Sequence, residues 1–299
     1  MSELFDPTRP LTATGNLRRR EAVNRLASGG ARAAALLAVA VLGVVIYSVA
    51  QRGAGSLSLS FLIKPPPLFG GAGGGIGPEI VGTIILVTLA TAIAMPLGVL
   101  VALYVTEFAG RRSGRVIRAA LDLMQGFPSV IVGLLIFGLL VAGTGQSGYA
   151  GSIALAIIML PLIARSSQEV IRLVPGSLRE AADALGVSRW RTIRGVVLPA
   201  ALGGILTGTI LAVARAAGET APLIFCDSIF NASAFSTNPF AANHAIPNIP
   251  FEIFTLSEQA DPSSFSRAWG AALVLLGMIL VANFAARALL ARSRRRHAR

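Results

Sequence analysis

Six apolar stretches recur along the 299 residues, at about 33–50, 80–104, 127–142, 152–164, 200–225 and 269–290. Lipid offers no partner to an unpaired backbone N–H or C=O, so stretches of roughly 20 such residues are expected to cross the hydrocarbon as helices. The third and fourth are short and carry glycine or proline, so each must borrow flanking polar residues or be sheltered by protein. A hydrophobic content of 54% and a mean hydropathy of +0.70 exclude a water-soluble globule. The expected fold class is therefore all-α integral membrane, with six transmembrane helices.

The basic residues orient these spans. Arg9, Arg18, Arg19, Arg20, Arg25 and Arg32 precede the first, whereas the connection after it has only Arg52 and Lys64. The next connection carries Arg111, Arg112, Arg115 and Arg118, and residues 143–151 carry none. Six arginines then lie between Arg165 and Arg194, one (Arg267) in 226–268, and six from Arg287 to Arg299. Basic loops stay on the cytoplasmic side, which puts both termini and residues 165–199 in the cytoplasm of a multi-pass inner-membrane protein. The net charge of +12 is thus a topology signal, and the Arg294–Arg296 run implies no nucleic acid.

The same reading divides the chain into a disordered basic tail (1–32), an uncleaved transmembrane anchor (33–50) and an external Pro/Gly-rich linker (51–76). A core follows (77–291) with a cytoplasmic loop at 165–199, then a basic tail (292–299). Cys226, the single cysteine, excludes an internal disulfide, and His244 and His297 lack companions at metal-ligand spacing, so no metal site is expected.

Ionisable groups inside the apolar stretches are the candidates for function. Arg215 and Glu219 are four residues apart in the fifth stretch, which on one helix places them on one face. An arginine at mid-membrane costs about 2.5–3.5 kcal/mol on insertion scales, so the pair should face a cavity or the helix bundle. Either it is an internal bridge that fixes packing, or Arg215 offers planar donors to a passing oxyanion while Glu219 holds and partly neutralises it. Arg165, where the fourth stretch ends, is an interfacial anchor or an exit-side contact. Ser129 after Pro128 and Thr220 beside Glu219 add neutral donors where helices should be irregular.

Between the fourth and fifth stretches runs EAADALGVSRWRTIRGVVLP, Glu180 to Pro199. Pro175, Gly176 and Ser177 stop one helix, and Ser177 with Glu180 forms a capping box for a short Ala-rich helix, 178–185, ending at Gly186. Small residues and a glycine exit allow close approach of a partner, and Arg179, Arg189, Arg191 and Arg194 supply charge. Capping and composition alone leave open a solvated loop without a partner. Glu180, Ala181, Ala182 and Gly186, with Leu198 and Pro199 after them, resemble the EAA loop of ABC-importer permeases.

Further stretches resemble one subfamily, the PstA-type permease of phosphate importers. Gly218-Glu219-Thr220-Ala221-Pro222-Leu223 is similar to its GETAPL run, Gly126 to Gly133 to its third-helix GVPSIVYG, and Pro96-Leu97-Gly98 and Tyr104 to Ala109 to the PLG and YLxEYA pattern. The resemblance covers roughly 77–290 and implies the type I (MetI-like) ABC importer permease fold. It implies that Arg215, Glu219 and Arg165 belong to a phosphate path, with Ser129 and Thr220 beside it. It further implies that Glu180, Ala181, Ala182, Leu185 and Gly186 contact an ATPase. The implied partners are a PstC-type permease, two copies of an ABC ATPase subunit and an external phosphate-binding protein, besides membrane lipid. ATP and Mg would be bound by the ATPase, with no cofactor in this chain: Lys64 is the only lysine, and the run Gly70–Gly77 lacks the Gly-Lys-Ser/Thr of a phosphate loop. The loop 226–268 matches the family only loosely. An importer of another oxyanion or small solute, or a secondary transporter or channel, are the alternatives.

Overall fold

The computed structural model describes residues 16–67, 73–228, 244–259 and 261–297. It comprises two units, Met1–Gln51 and Arg52–Arg299. The described part of the first unit belongs to a single helix, α1 (Asn16–Gly53). The basic stretch expected as a disordered tail is therefore helical from Asn16 onward, and Arg25 pairs with Glu21 one turn away at 2.5 Å. Ala, Leu and Arg are strong helix formers, and extending a helix already nucleated by the anchor is far easier than starting one. Residues 1–15 lie outside the described residues.

In the second unit, α2 (Leu59–Ile63) is followed by α3 (Gly77–Phe108), α4 (Arg111–Gly126), α5 (Ser129–Thr144) and α6 (Gly148–Arg172). Then come the short α7 (Gly176–Ala184), the long α8 (Arg189–Ala216), α9 (Ala221–Cys226), α10 (Ile249–Glu258) and α11 (Pro262–His297). No strand occurs among the described residues. Among the described residues five helices are long and apolar enough to cross a membrane, or six if the bent pair α4 and α5 counts as one span.

That pair meets at 98°. Pro128 disfavours helix at Phe127 and stops α4, whose arginines make it a poor tenant of hydrocarbon, so the apolar α5 turns away from it. In the linker expected at 51–76 the described residues, 51–67 and 73–76, are also more ordered than their composition suggests, and residues 68–72 lie outside the described residues. Ser58 caps α2 by accepting from the Phe61 N–H at 3.1 Å, and Phe61 is buried with Ile76, Ile249 and Ala271. The backbone N–H of Ile76 donates to the Phe61 carbonyl at 2.7 Å, folding the linker back onto the start of α3.

The fifth apolar stretch departs most from expectation. It is not one helix: α8 ends at Ala216, and α9 begins only at Ala221. Pro222 has no N–H to give the Gly218 carbonyl, and Gly218 weakens helix further, so the ladder breaks between them.

Packing centres on α3, α6 and α8. Leu86, Ala90 and Ala94 of α3 meet Leu155, Met159 and Ile163 of α6 and Ala212 and Ala216 of α8. Nearer the α7 side, Ala102 and Leu103 pack with Ile171, Val174, Ile193, Val197, Ala201 and Ile205. Small residues at these seams let backbones approach, which is how membrane helices gain contact without a hydrophobic driving force.

Candidate functional site

Arg215 sits in the last turn of α8, immediately before the break. Its Nε lies 3.5 Å from Glu219 Oε1, with the two side chains 57% and 16% exposed. The expectation of one helical face is corrected here. Glu219 belongs to the irregular turn, where the N–H groups of Gly218 and Glu219 donate to the carbonyls of Arg215 and Ala216, each at 3.1 Å. The turn nevertheless returns the carboxylate to its arginine. The terminal nitrogens of Arg215 donate no hydrogen bond among the described residues, which leaves the outward fork of the guanidinium available.

Arg215 lines a cavity of about 170 Å³ together with Gln125 and Phe127 at the end of α4, Ser129 and Val132 of α5, and Ile158 and Leu162 of α6. Two residues singled out from sequence, Arg215 and Ser129, thus meet in one space although 86 positions separate them. A water occupies roughly 30 Å³ in the liquid, so a small ion with a few waters fits. One wall stays in place by close contact: a Cβ on Gly133 of α5 would stand 2.8 Å from Pro222 Cα, so only glycine lets α5 pass the start of α9. Thr220 is the residue before α9, with its carbonyl accepting from Leu223 and Ile224; it does not line the cavity.

Arg165 is placed elsewhere. Its Nη2 pairs with Asp122 of α4 and donates to the Arg118 carbonyl at 3.1 Å, so its guanidinium ties α6 to α4 and does not line the cavity.

The α7 region is built around a helix exit. Gly186 has φ +68°, the left-handed conformation that costs glycine nothing. Its N–H donates to the Asp183 carbonyl and that of Val187 to the Ala182 carbonyl, each at 3.0 Å, the paired bonds of a Schellman exit. Leu185, at the C-cap, is 82% exposed. Glu180 and Ala181 are also off the core, whereas Ala182 is buried. The expected capping box is absent: α7 starts at Gly176 with Pro175 as N-cap and no side-chain cap, which moves Ser177 inside the first turn. Proline pre-sets the entry backbone, so no hydroxyl is needed there.

The profile of the family described as binding-protein-dependent transport system inner membrane component matches residues 94–296. The phosphate transport system permease protein PstA of Yersinia pestis is 36% identical over 92% of this chain and 92% of its own length. This chain belongs to the PstA permease family. Another relative, PstA 1 of Mycobacterium tuberculosis (strain H37Rv), is 37% identical over 71% of this chain and 68% of its own length. A chain of the inward-facing MetNI methionine ABC transporter aligns with this permease at a TM-score of 0.55 and 19% identity, covering 73% of the permease and 94% of that chain. A chain of a bacterial alginate ABC transporter aligns at 0.59 and 15%, covering 92% and 99%. At such identities these two establish the fold alone.

Two arrangements in the permease escaped the sequence reading. One closes α9 at the side away from the break: Ser147 N–H donates to the Cys226 carbonyl at 3.0 Å, Gln146 Nε2 to the Phe225 carbonyl at 3.3 Å, and Ile246 N–H to Asp227 Oδ1 at 2.7 Å. Burial raises the Asp227 carboxyl well above the usual range, against a smaller opposing pull from the Ile246 N–H. An aspartate just beyond an apolar run was the available signal. The other is the contact of Glu107 with Arg179, at 2.9 Å. Glu107 stood in a quoted motif and Arg179 among the arginines beside another, but their partnership spans 72 positions and no local pattern encodes it. Residues 229–243 and 260 of the loop 226–268, which matches the family only loosely, lie outside the described residues.

Proposed function

We propose that this permease forms half of the translocation pathway of an ATP-driven importer of inorganic phosphate, with Arg215 as the residue that meets the ion. The observation that carries this reading is the half-exposed guanidinium of Arg215 in a cavity shared with Ser129, balanced by the loosely paired Glu219. At 3.5 Å the pair is weaker than a good charge-assisted hydrogen bond, so a phosphate oxygen can compete for the guanidinium. Glu219 limits the net positive charge, keeping the ion from being trapped. Thr220 stands by the break with its hydroxyl free to follow the ion, and Arg165 acts on the cavity through α4, holding that helix in place. The names of the PstA relatives support phosphate as cargo.

In this reading the partners are a PstC-type permease, an external phosphate-binding protein and two copies of an ABC ATPase subunit that binds ATP and Mg. The permease itself hydrolyses nothing and holds no cofactor. Both termini and α7 face the cytoplasm, where Glu180, Ala181, Leu185 and Gly186 form the surface docked by the ATPase and the buried Ala182 packs beneath it. Nucleotide binding closes the ATPase pair, moves α7 and turns the cavity outward; hydrolysis returns it.

The test is ATP-dependent uptake of labelled phosphate by vesicles holding the complex, wild type against Arg215→Ala. Uptake should vanish in the variant while the complex still assembles. Loss of assembly would instead assign the arginine to packing. An assembled, ATP-hydrolysing wild type that imports sulfate or another solute but no phosphate would keep the importer and discard the cargo.

A further inference from the structure

The guanidinium of Arg179, in the first turn of α7, holds three elements at once. It donates to Glu107 Oε1 at 2.9 Å, to the Val174 carbonyl at 2.7 Å and to the Ile171 carbonyl at 3.1 Å. Ile171 lies in the last turn of α6, and Glu107 in the wide π turn Tyr104–Phe108 that ends α3. The Glu107 side chain is only 8% exposed. The next residue, Phe108, meets the far side of the same loop: the Arg189 guanidinium lies over its ring, 5.3 Å from the centroid. Two neighbouring residues at the end of α3 therefore grip the α7 loop in the first turn of its helix and after its glycine exit. Between these grips Leu185 is 82% exposed, and Trp190, just beyond the second, is 57% exposed.

A packing role alone does not call for charge. Bringing a carboxylate and a guanidinium out of water is costly, and well-packed apolar residues hold helices together at least as well. What a forked, three-acceptor contact adds is a single permitted register between the parts it joins.

We propose that Glu107 and Arg179 are a positioning pair that makes α3 and α6 follow α7 when the ATPase moves it. This rests on the coupling reading of α7 above. The Glu107 contact drives α3, and α3 packs Ala90 and Ala94 against Met159 and Ile163 of α6, the helix that carries Ile158 and Leu162 into the cavity wall. Without the pair α7 still docks, but it swings without taking the membrane helices along.

The experiment uses the full complex in proteoliposomes and reads three quantities: retention of the ATPase subunit, ATP hydrolysis, and phosphate taken up per ATP. Glu107→Gln keeps the size of the side chain and removes its charge. It should retain the ATPase subunit and its hydrolysis while phosphate per ATP falls at least about tenfold, within the range seen for coupling between linked sites. Arg179→Lys keeps the charge but cannot reach three acceptors, and should fall in between. That graded response is something a merely structural role does not produce. Wild-type phosphate per ATP in either assembled variant overturns the proposal, as does failure of both variants to assemble, which would make the pair structural. If the wild type itself hydrolyses ATP and moves no phosphate, the cargo assignment fails by itself. The pair is then judged by stimulation of hydrolysis by the external binding protein, which Glu107→Gln must lose.

Discussion

Gly186 offers the sharpest quantitative test of how α7 works. Its φ of +68° costs an L-residue roughly 1–2 kcal/mol, and a Cβ added there meets nothing within 4 Å inside the chain. Within the permease the penalty is therefore one of backbone alone. Asparagine tolerates the left-handed region; a β-branched residue does not. Gly186→Val should depopulate the exit, with its two bonds to the Asp183 and Ala182 carbonyls, by about 5–30-fold, whereas Gly186→Asn should stay within about threefold of wild type. The assay is phosphate uptake per ATP hydrolysed by the reconstituted complex. Uptake per ATP should fall by the same factor for Val and be nearly preserved for Asn. If Asn is as damaging as Val, the glycine is needed for space against the ATPase and the backbone argument is refuted. If Val is harmless, this exit is not part of coupling.

Gly133→Leu should lower the thermal unfolding temperature of the detergent-solubilised complex, because its Cβ would press on the Pro222 backbone, an overpacking of about 1–3 kcal/mol. Gly138→Ala, where an added Cβ meets nothing within 4 Å, should leave it unchanged, and equal shifts for both would count against the close-approach account. Asp227→Asn should be neutral or stabilising, since it keeps an acceptor for Ile246, while Asp227→Ala leaves that buried N–H unpaired at a cost of about 1–3 kcal/mol. Because burial raises the Asp227 carboxyl, its contribution is complete below the ordinary aspartate value of about 3.9 and is lost as pH climbs through the raised one. Hydrogen-exchange protection at Ile246, corrected for intrinsic rate, should therefore fall as pH rises above the ordinary aspartate range in wild type and stay flat in Asp227→Asn; a wild type as flat as the variant would refute the raised carboxyl.

The legible parts of this permease were those written in local pattern. Hydropathy located the spans, and Gly186 announced a helix exit because few other residues accept its backbone geometry. What went astray locally had a physical cause. The fifth stretch was read as one helix because it is apolar apart from Arg215 and Glu219, a pair at helical spacing; a missing N–H at Pro222 and a weak Gly218 break it with little change in hydropathy. The capping box at Ser177 and Glu180 failed because Pro175 already sets the helix start. The linker at 51–76 looked free because glycine and proline are prominent in it, while Phe61 and Ile76 supply the buried side chains that fold it back.

Long-range partnership was not legible. Sequence by itself determined a helical, membrane-spanning chain, the family to which it belongs, and the residue types available for an anion and for a docking helix, because each is encoded in residues a few positions apart. Tertiary structure alone decided that Arg215 shares a cavity with Ser129, that Arg165 is spent on Asp122, and that Arg179 grips Glu107. Those outcomes depend on which helix faces pack together, and a single charge in a motif carries no record of the partner that packing will bring to it.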